Sequence, residues 1–289
     1  MEIPEEEDIL DAAEEQARAE EVAAALSSLF LSAWDRNTDE ALEAIRASLR
    51  RGDGAVDGQD IQRVVGELRP FLSRRMVEEV SGPVSQGVEA AFTVGGEDIS
   101  AQAVVSTSVK DRQLKNFLSD NATFWVGNHY DQQVQSRIQE AADNVLSTTE
   151  GTLGRREAGQ KFAEAFRGQF QKSDSYWRLL ANDVTTKSRE LGRVQGMVKA
   201  GIEQYRIDAI LDRRTSDICR YLDGKVFDVA DAVEQRDRLL QSEDPEAIKE
   251  MSPWLQAEQV VEMSVEELSS QGVLLPPFHG NCRSRIQAV

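Results

Sequence analysis

Apolar residues recur at helical spacing through most of the chain. Val22, Leu26, Leu29, Phe30, Ala33 and Trp34 share one helical face, and Leu42, Ile45 and Leu49 share another. Between them, Asn37 and Glu40 have the spacing of a capping box, which predicts that a new helix starts there. Glycines at 52, 54 and 58 then predict a loop. Helical spacing returns with Ile61, Val64, Val65, Leu68, Leu72 and Met76, with Pro70 predicting a kink or break. The glycine-rich stretch from Ser81 to Ser100, which contains Gly95-Gly96, predicts a hinge. Further helical stripes follow: Leu114, Phe117 and Leu118; Tyr130, Val134, Ile138 and Val145; Phe162, Ala165 and Phe166. Such stripes mark core or helix-helix contact rather than a cofactor site.

The pattern changes in the second half. Ser173 to about Lys199 reads as one helix with Trp177, Leu180, Val184, Leu191 and Val198 on its apolar face, and Gly201 as its C-cap. Thr185, Ser188 and Gly192 are small enough to admit another element closely. Alternation around Tyr205, Ile207, Ala209 and Leu211 predicts a strand. Asp223-Gly224 is a turn signal, and Lys225-Val226-Phe227 return as a second strand. Residues 228–271 revert to helix, and 283–289 alternate again as a closing strand. The predicted fold is α+β and predominantly helical. An elongated helical region over 1–150 opens with an acidic, solvated arm over 1–21. An α+β domain over 151–289 follows, built of a long helix and a small sheet, with a helical insertion at 228–271. There is no internal repeat.

Charge narrows the function. With 51 acidic and 33 basic residues the net charge is −18, and no basic patch gathers. Such a chain repels phosphate backbones, so strong non-specific nucleic-acid binding is not expected. No apolar run approaches the roughly 20 residues of a membrane span. Met1 to Asp8 is acidic and does not read as a secretory signal, which predicts synthesis in the cytoplasm. The 51–58 loop resembles a calcium loop only in its aspartates. Counted from Asp53, the third position is Ala55 and the twelfth is Val64, so the ligand pattern fails.

The scarce residue types concentrate near the end. Both cysteines, Cys219 and Cys282, and one of the two histidines, His279, lie in two short segments. Four readings are open. His279-x-x-Cys282 with Cys219 has ligand spacing for a structural zinc, although Ser216 stands where a Cys-x-x-Cys half-site would have its first cysteine. A Cys219–Cys282 disulfide would close a long loop, worth about 4 kcal/mol in the chain-entropy model. Cys219 as nucleophile, His279 as base and Asp223 as orienter would make a catalytic set. Finally, both thiols can be small buried groups, with Asp223-Gly224 and Pro276-Pro277 serving as turns.

These residues also carry a resemblance. Asp212, Arg214-Thr215-Ser216, Cys219, Leu222-Asp223-Gly224, then Pro276-Pro277, His279 and Asn281-Cys282-Arg283 form an ordered set. The set resembles the C-terminal domain of the phage Mu protein F-like head morphogenesis proteins, minor head proteins of tailed bacteriophages. Ser188-Arg189, Gly192 and Gly201 extend the resemblance, which covers residues 150 to 289. The chain departs from the family at Ser216, where many members carry Cys, and at Gly280, where they carry Pro. The resemblance implies a non-enzymatic minor capsid protein without a cofactor, placed in the virion head at or near the portal. It implies the phage portal protein as partner, with scaffold or capsid protein as further candidates, and action in head assembly or DNA packaging and ejection. The alternative is an effector or enzyme that uses Cys219 and His279. Residues 1 to 170 hold no nucleophile, phosphate-loop or metal motif, which favours the structural reading.

Overall fold

The structure, a computed structural model, describes residues 6–51, 56, 58–99, 108–149, 157, 159–162, 164–165 and 174–289. Three long helices come first: α1 (Glu6–Leu49), α2 (Gly58–Ile99) and α3 (Val109–Thr149). Helix α4 (Asp174–Ala200) leads into strand β1 (Gln204–Asp208) through Gly201, whose φ of 70° ends the helix as expected. Helix α5 (Asp217–Leu222) precedes β2 (Val226–Asp228). Helices α6 (Val229–Gln241), α7 (Pro245–Glu250), α8 (Ala257–Val260) and α9 (Val265–Ser270) lead to β3 (Arg285–Ala288). The strands form one antiparallel sheet in the order β2-β1-β3. The fold is therefore predominantly helical α+β, as the patterning predicts.

Expected interruptions of the helices are absent at three places. Asn37 does not start a helix. It is buried inside α1, where its Nδ2 donates to the Ala33 carbonyl at 2.8 Å and to the Glu79 carboxylate on α2 at 2.9 Å. Pro70 does not break α2, which runs through it. The glycine-rich segment does not interrupt the helix either, because Ser81 to Ile99 is continuous. Its glycines serve a helix crossing. A Cβ on Gly95 would stand 2.0 Å from the Arg189 carbonyl oxygen, and one on Gly192 would stand 2.2 Å from the Phe92 carbonyl oxygen. Each helix offers glycine where the other's backbone arrives. The close approach outweighs the roughly 1 kcal/mol that each helical glycine costs. Residues 52–55 and 57 of the predicted 51–58 loop, and the side chains of Val134, Ile138 and Val145, lie outside the described residues.

Packing groups the chain into two units. One consists of Ser27–Pro83 and Ala122–Trp177. Its core includes Trp34, which meets Tyr130 edge-on at 5.3 Å and Trp177 at 5.5 Å, with Leu42, Ile45, Leu72 and Met76 buried. The other unit consists of Met1–Leu26, Val84–Asn121 and Arg178–Val289. It therefore joins parts of the expected 1–150 helical region with the sheet. Tyr205, Ile207, Phe227 and Ile286 from the strands pack there with Leu222, Leu268, Leu274 and Phe278. The inserted helices are held by Gln235, whose Nε2 donates to the carbonyls of Met251 and Gly272 at 2.9 and 2.8 Å.

A buried charge cluster dominates this second unit. Arg193 and Glu190 on α4 are fully buried, and Arg189 and Glu15 nearly so. The Arg193 guanidinium contacts the Glu15 carboxylate of α1 and lies 2.9 Å from Asp98 on α2. It also donates to the Ile286 carbonyl of β3 at 3.0 Å. Glu190 accepts the Ile286 amide at 2.9 Å and an Arg189 bond at 2.7 Å. Arg189 continues to the Ser284 carbonyl at 3.2 Å and to Gln16 at 2.8 Å. These side chains satisfy the outward backbone groups of the edge strand β3, which would otherwise be a template for wrong pairing. The expectation that the arm over residues 1–21 is solvated is thus corrected at two described positions of α1, where Glu15 and Ala19 are buried. Burial raises the Glu15 pKa, opposed by Arg193 and Arg189. Burial lowers that of Arg193, but Glu190, Glu15 and Asp98 outweigh it and the net shift is upward.

Removing one member of such a cluster leaves opposite charge buried without a partner. Arg193→Ala is expected to lower the unfolding free energy by about 3–5 kcal/mol in urea denaturation. Arg18→Ala removes a surface pair with Glu97 and is expected to cost less than about 1 kcal/mol.

Candidate functional site

The two segments that hold the scarce residues meet beside the sheet. The first is organised by Asp212. Its carboxylate accepts the Arg214 amide at 2.7 Å and both Arg283 terminal nitrogens, at 3.0 and 2.7 Å. Thr215 Oγ1 accepts the Asp212 amide at 2.7 Å and donates to the Ile210 carbonyl at 2.6 Å. The Asp212 carbonyl also accepts from Arg220. Arg283, through the bidentate pair, holds the Asp212 carboxyl well below the ordinary carboxylate range, helped by the Arg214 amide. This loop delivers the chain to α5. Ser216 is the N-cap there, and its hydroxyl accepts the Cys219 amide at 3.3 Å. Where a Cys-x-x-Cys half-site would have its first cysteine, this chain has a helix cap.

Asp223 and Gly224 turn the chain back. Gly224 has φ of 76°, and its amide donates to the Ile207 carbonyl at 2.8 Å. The Asp223 carboxylate accepts the Ala209 amide at 2.9 Å, while Leu222 is fully buried in the sheet core. Asp223 is therefore committed to the β1 turn. The catalytic set that used it as orienter of His279 does not form.

The second segment enters through a cis Pro276-Pro277 bond, and the Pro277 carbonyl accepts the Trp254 indole at 3.0 Å. His279 to Cys282 form a tight turn: the Cys282 amide donates to the His279 carbonyl at 3.3 Å, and Asn281 takes a φ of 58°. Asn tolerates that left-handed conformation better than most residues. The His279 Nδ1–H donates to the Gly280 carbonyl at 2.7 Å. That bond fixes the ring and leaves Nε2 facing Cys219 Sγ at 3.2 Å. Cys219 Sγ lies 3.7 Å from Cys282 Sγ, and both cysteines are free and buried. The three ligand-type atoms lie within 4.8 Å of one another.

The electrostatics follow from this contact. The Cys219 thiol is pulled down, first because the Cys282 S–H bonds to its sulfur and further by His279. The Cys282 thiol is correspondingly pushed up by the same bond and by burial. The imidazole of His279 is raised by its bond to Cys219. The thiolate form of Cys219 is thus favoured by hydrogen bonds from the Cys282 S–H and the His279 ring. Groups arranged in this way suit a soft metal, a disulfide, or a buried hydrogen-bonded cluster. A cavity of about 20 Å³ adjoins Cys219 and His279 and is bordered by Ser216, Thr215 and Ser284. An open groove of about 520 Å³ lies on the other side of His279, bordered by Gln16, Glu20 and Asn182.

All fourteen motif residues have a place here. Arg214 contributes its backbone amide, and its side chain is 73% exposed. Glu190, Arg193 and Glu15, which hold β3 in place next to Cys282, carry no motif signature in the sequence.

With reductant and chelator present, ultraviolet thiolate absorbance is expected to persist well below the ordinary thiol value of 9.0. Cys282→Ala removes the S–H donor and is expected to move the Cys219 titration upward. Absorbance that appears only near pH 9 in both proteins would show that no thiolate is stabilised.

Comparison with known proteins adds an independent finding. The sequence model of the family described as Phage Mu protein F like protein matches residues 143–287. No curated protein matches the chain, and no solved structure does. The matched region takes in α4, the whole sheet apart from the end of β3, and both cysteine segments, half of the 289 residues. The chain belongs to the Phage Mu protein F-like family.

Proposed function

We propose that this protein is a minor head protein of a tailed bacteriophage, carried in the virion at the portal vertex. Its role there is non-catalytic and serves head assembly or the packaging and ejection of DNA. The observation that carries the reading is the family match over 143–287, together with the intact arrangement of the motif residues. The charge of −18 supports it, because a protein beside packaged DNA must not adhere to phosphates. The long helices supply surface for a protein partner, and among the described residues no helix is long and apolar enough to cross a membrane. An effector or enzyme role for Cys219 and His279 finds less support. Cys219 is 3% exposed and Asp223 is engaged elsewhere, so the thiol is largely closed to a substrate and His279 has no carboxylate from Asp223.

Co-expression with the portal protein of the same phage tests the reading. The expected result is co-purification with the portal ring and detection of the protein in purified virions at low copy number. A protein that neither binds the portal nor enters virions contradicts it.

A further inference from the structure

We infer that Cys219, His279 and Cys282 form a zinc site with three protein ligands and one position open to the small neighbouring cavity. The distances carry the argument. Two sulfurs each about 2.3 Å from a tetrahedral zinc stand about 3.8 Å apart. The two Sγ atoms stand 3.7 Å apart. A sulfur and an imidazole nitrogen on the same ion stand about 3.5 Å apart. Cys219 Sγ and His279 Nε2 stand at 3.2 Å, a few tenths of an ångström from that edge. All three donor atoms face one another within 4.8 Å.

The surroundings favour the same ligand. The Nδ1–H of His279 is spent on the Gly280 carbonyl, the outer-shell bond that orients a ligating imidazole and presents Nε2. Cys219 is fixed by the Ser216 cap, and Cys282 by the turn that Asn281 closes. Asp212 and Arg283 tie these two supports to each other. The donor set thus belongs to two chain segments 60 residues apart, each braced independently of the ion. Two thiolates neutralise a divalent charge, and thiolate with imidazole selects zinc over magnesium or calcium. Ser216 supplies no fourth thiolate, but the cavity of about 20 Å³ beside Cys219 and His279 is large enough for one water, the fourth ligand of a three-residue site.

The test uses the full-length chain, reduced and freed of metal, then titrated with zinc alone. One tightly held zinc per chain is expected, with both cysteines shielded from alkylation when it binds. Cobalt in place of zinc is expected to give the intense visible bands of a tetrahedral site and sulfur-to-metal charge transfer. Cys282→Ser and His279→Gln are each expected to abolish the stoichiometric site. If a variant fails to fold, the cobalt spectrum of the unmodified chain decides by itself. A reduced wild-type chain that holds no zinc overturns the inference. So does zinc retained equally by both folded variants, or a cobalt spectrum without sulfur charge transfer.

Discussion

Arg193 sits at zero exposure with its charge intact, and much of the sheet-bearing unit is arranged around that fact. A lone buried guanidinium would cost many kcal/mol, so it must have partners. Glu190 comes from its own helix, Glu15 from α1 and Asp98 from α2. One terminal nitrogen also donates to the Ile286 carbonyl of β3. One charge therefore fixes four elements at once. It also helps hold β3, a short edge strand of four residues: the outer amide and carbonyl of Ile286 are bonded by Glu190 and Arg193, and Arg189 bonds the Ser284 carbonyl just before the strand. Such a cluster adds specificity of arrangement more than net stability.

The glycine crossing makes that cluster possible. Because Gly95 meets the Arg189 backbone and Gly192 meets the Phe92 backbone, α2 and α4 run closer than side chains would permit. Asp98, one turn along α2, is thereby brought to 2.9 Å from Arg193. The cluster in turn positions Ser284 and Ile286 immediately after Cys282, and so sets where the His279–Cys282 turn is presented. Packing, edge closure and the cysteine cluster form one chain of dependence, running from the helix pair to the site.

The sheet was legible in the sequence because its signals are local. Alternation at Tyr205 and Ile207, Asp223-Gly224 as a turn and the alternation after Arg283 each act within a few residues, and strands lie at each, although β1 ends at Asp208, before Ala209 and Leu211. The helices were legible in type but not in extent. Asn37 reads as a cap and glycines read as a hinge until a partner is known, and their partners, Glu79 and the α4 backbone, are distant in sequence. Glu15 misled for the same reason. In a run of acidic residues it looks solvated, and only Arg193, 178 residues away, makes its burial tenable. The site residues were recognisable by scarcity and order. Their geometry was not, because the ring orientation of His279 and the capping role of Ser216 depend on backbone conformation that composition does not encode.

The family match begins at residue 143, yet Glu15 and Asp98 lie before it. The account therefore holds that the family domain is completed by helices outside its own boundaries. Hydrogen exchange on residues 143–289, compared with the full-length chain, measures this directly. The prediction is that the fragment loses amide protection in β3, above all at Ile286, and in α4 around Arg193, while the full-length chain keeps it. A fragment with full-length protection at both places would contradict the claim that the buried charge ties the sheet to α1 and α2.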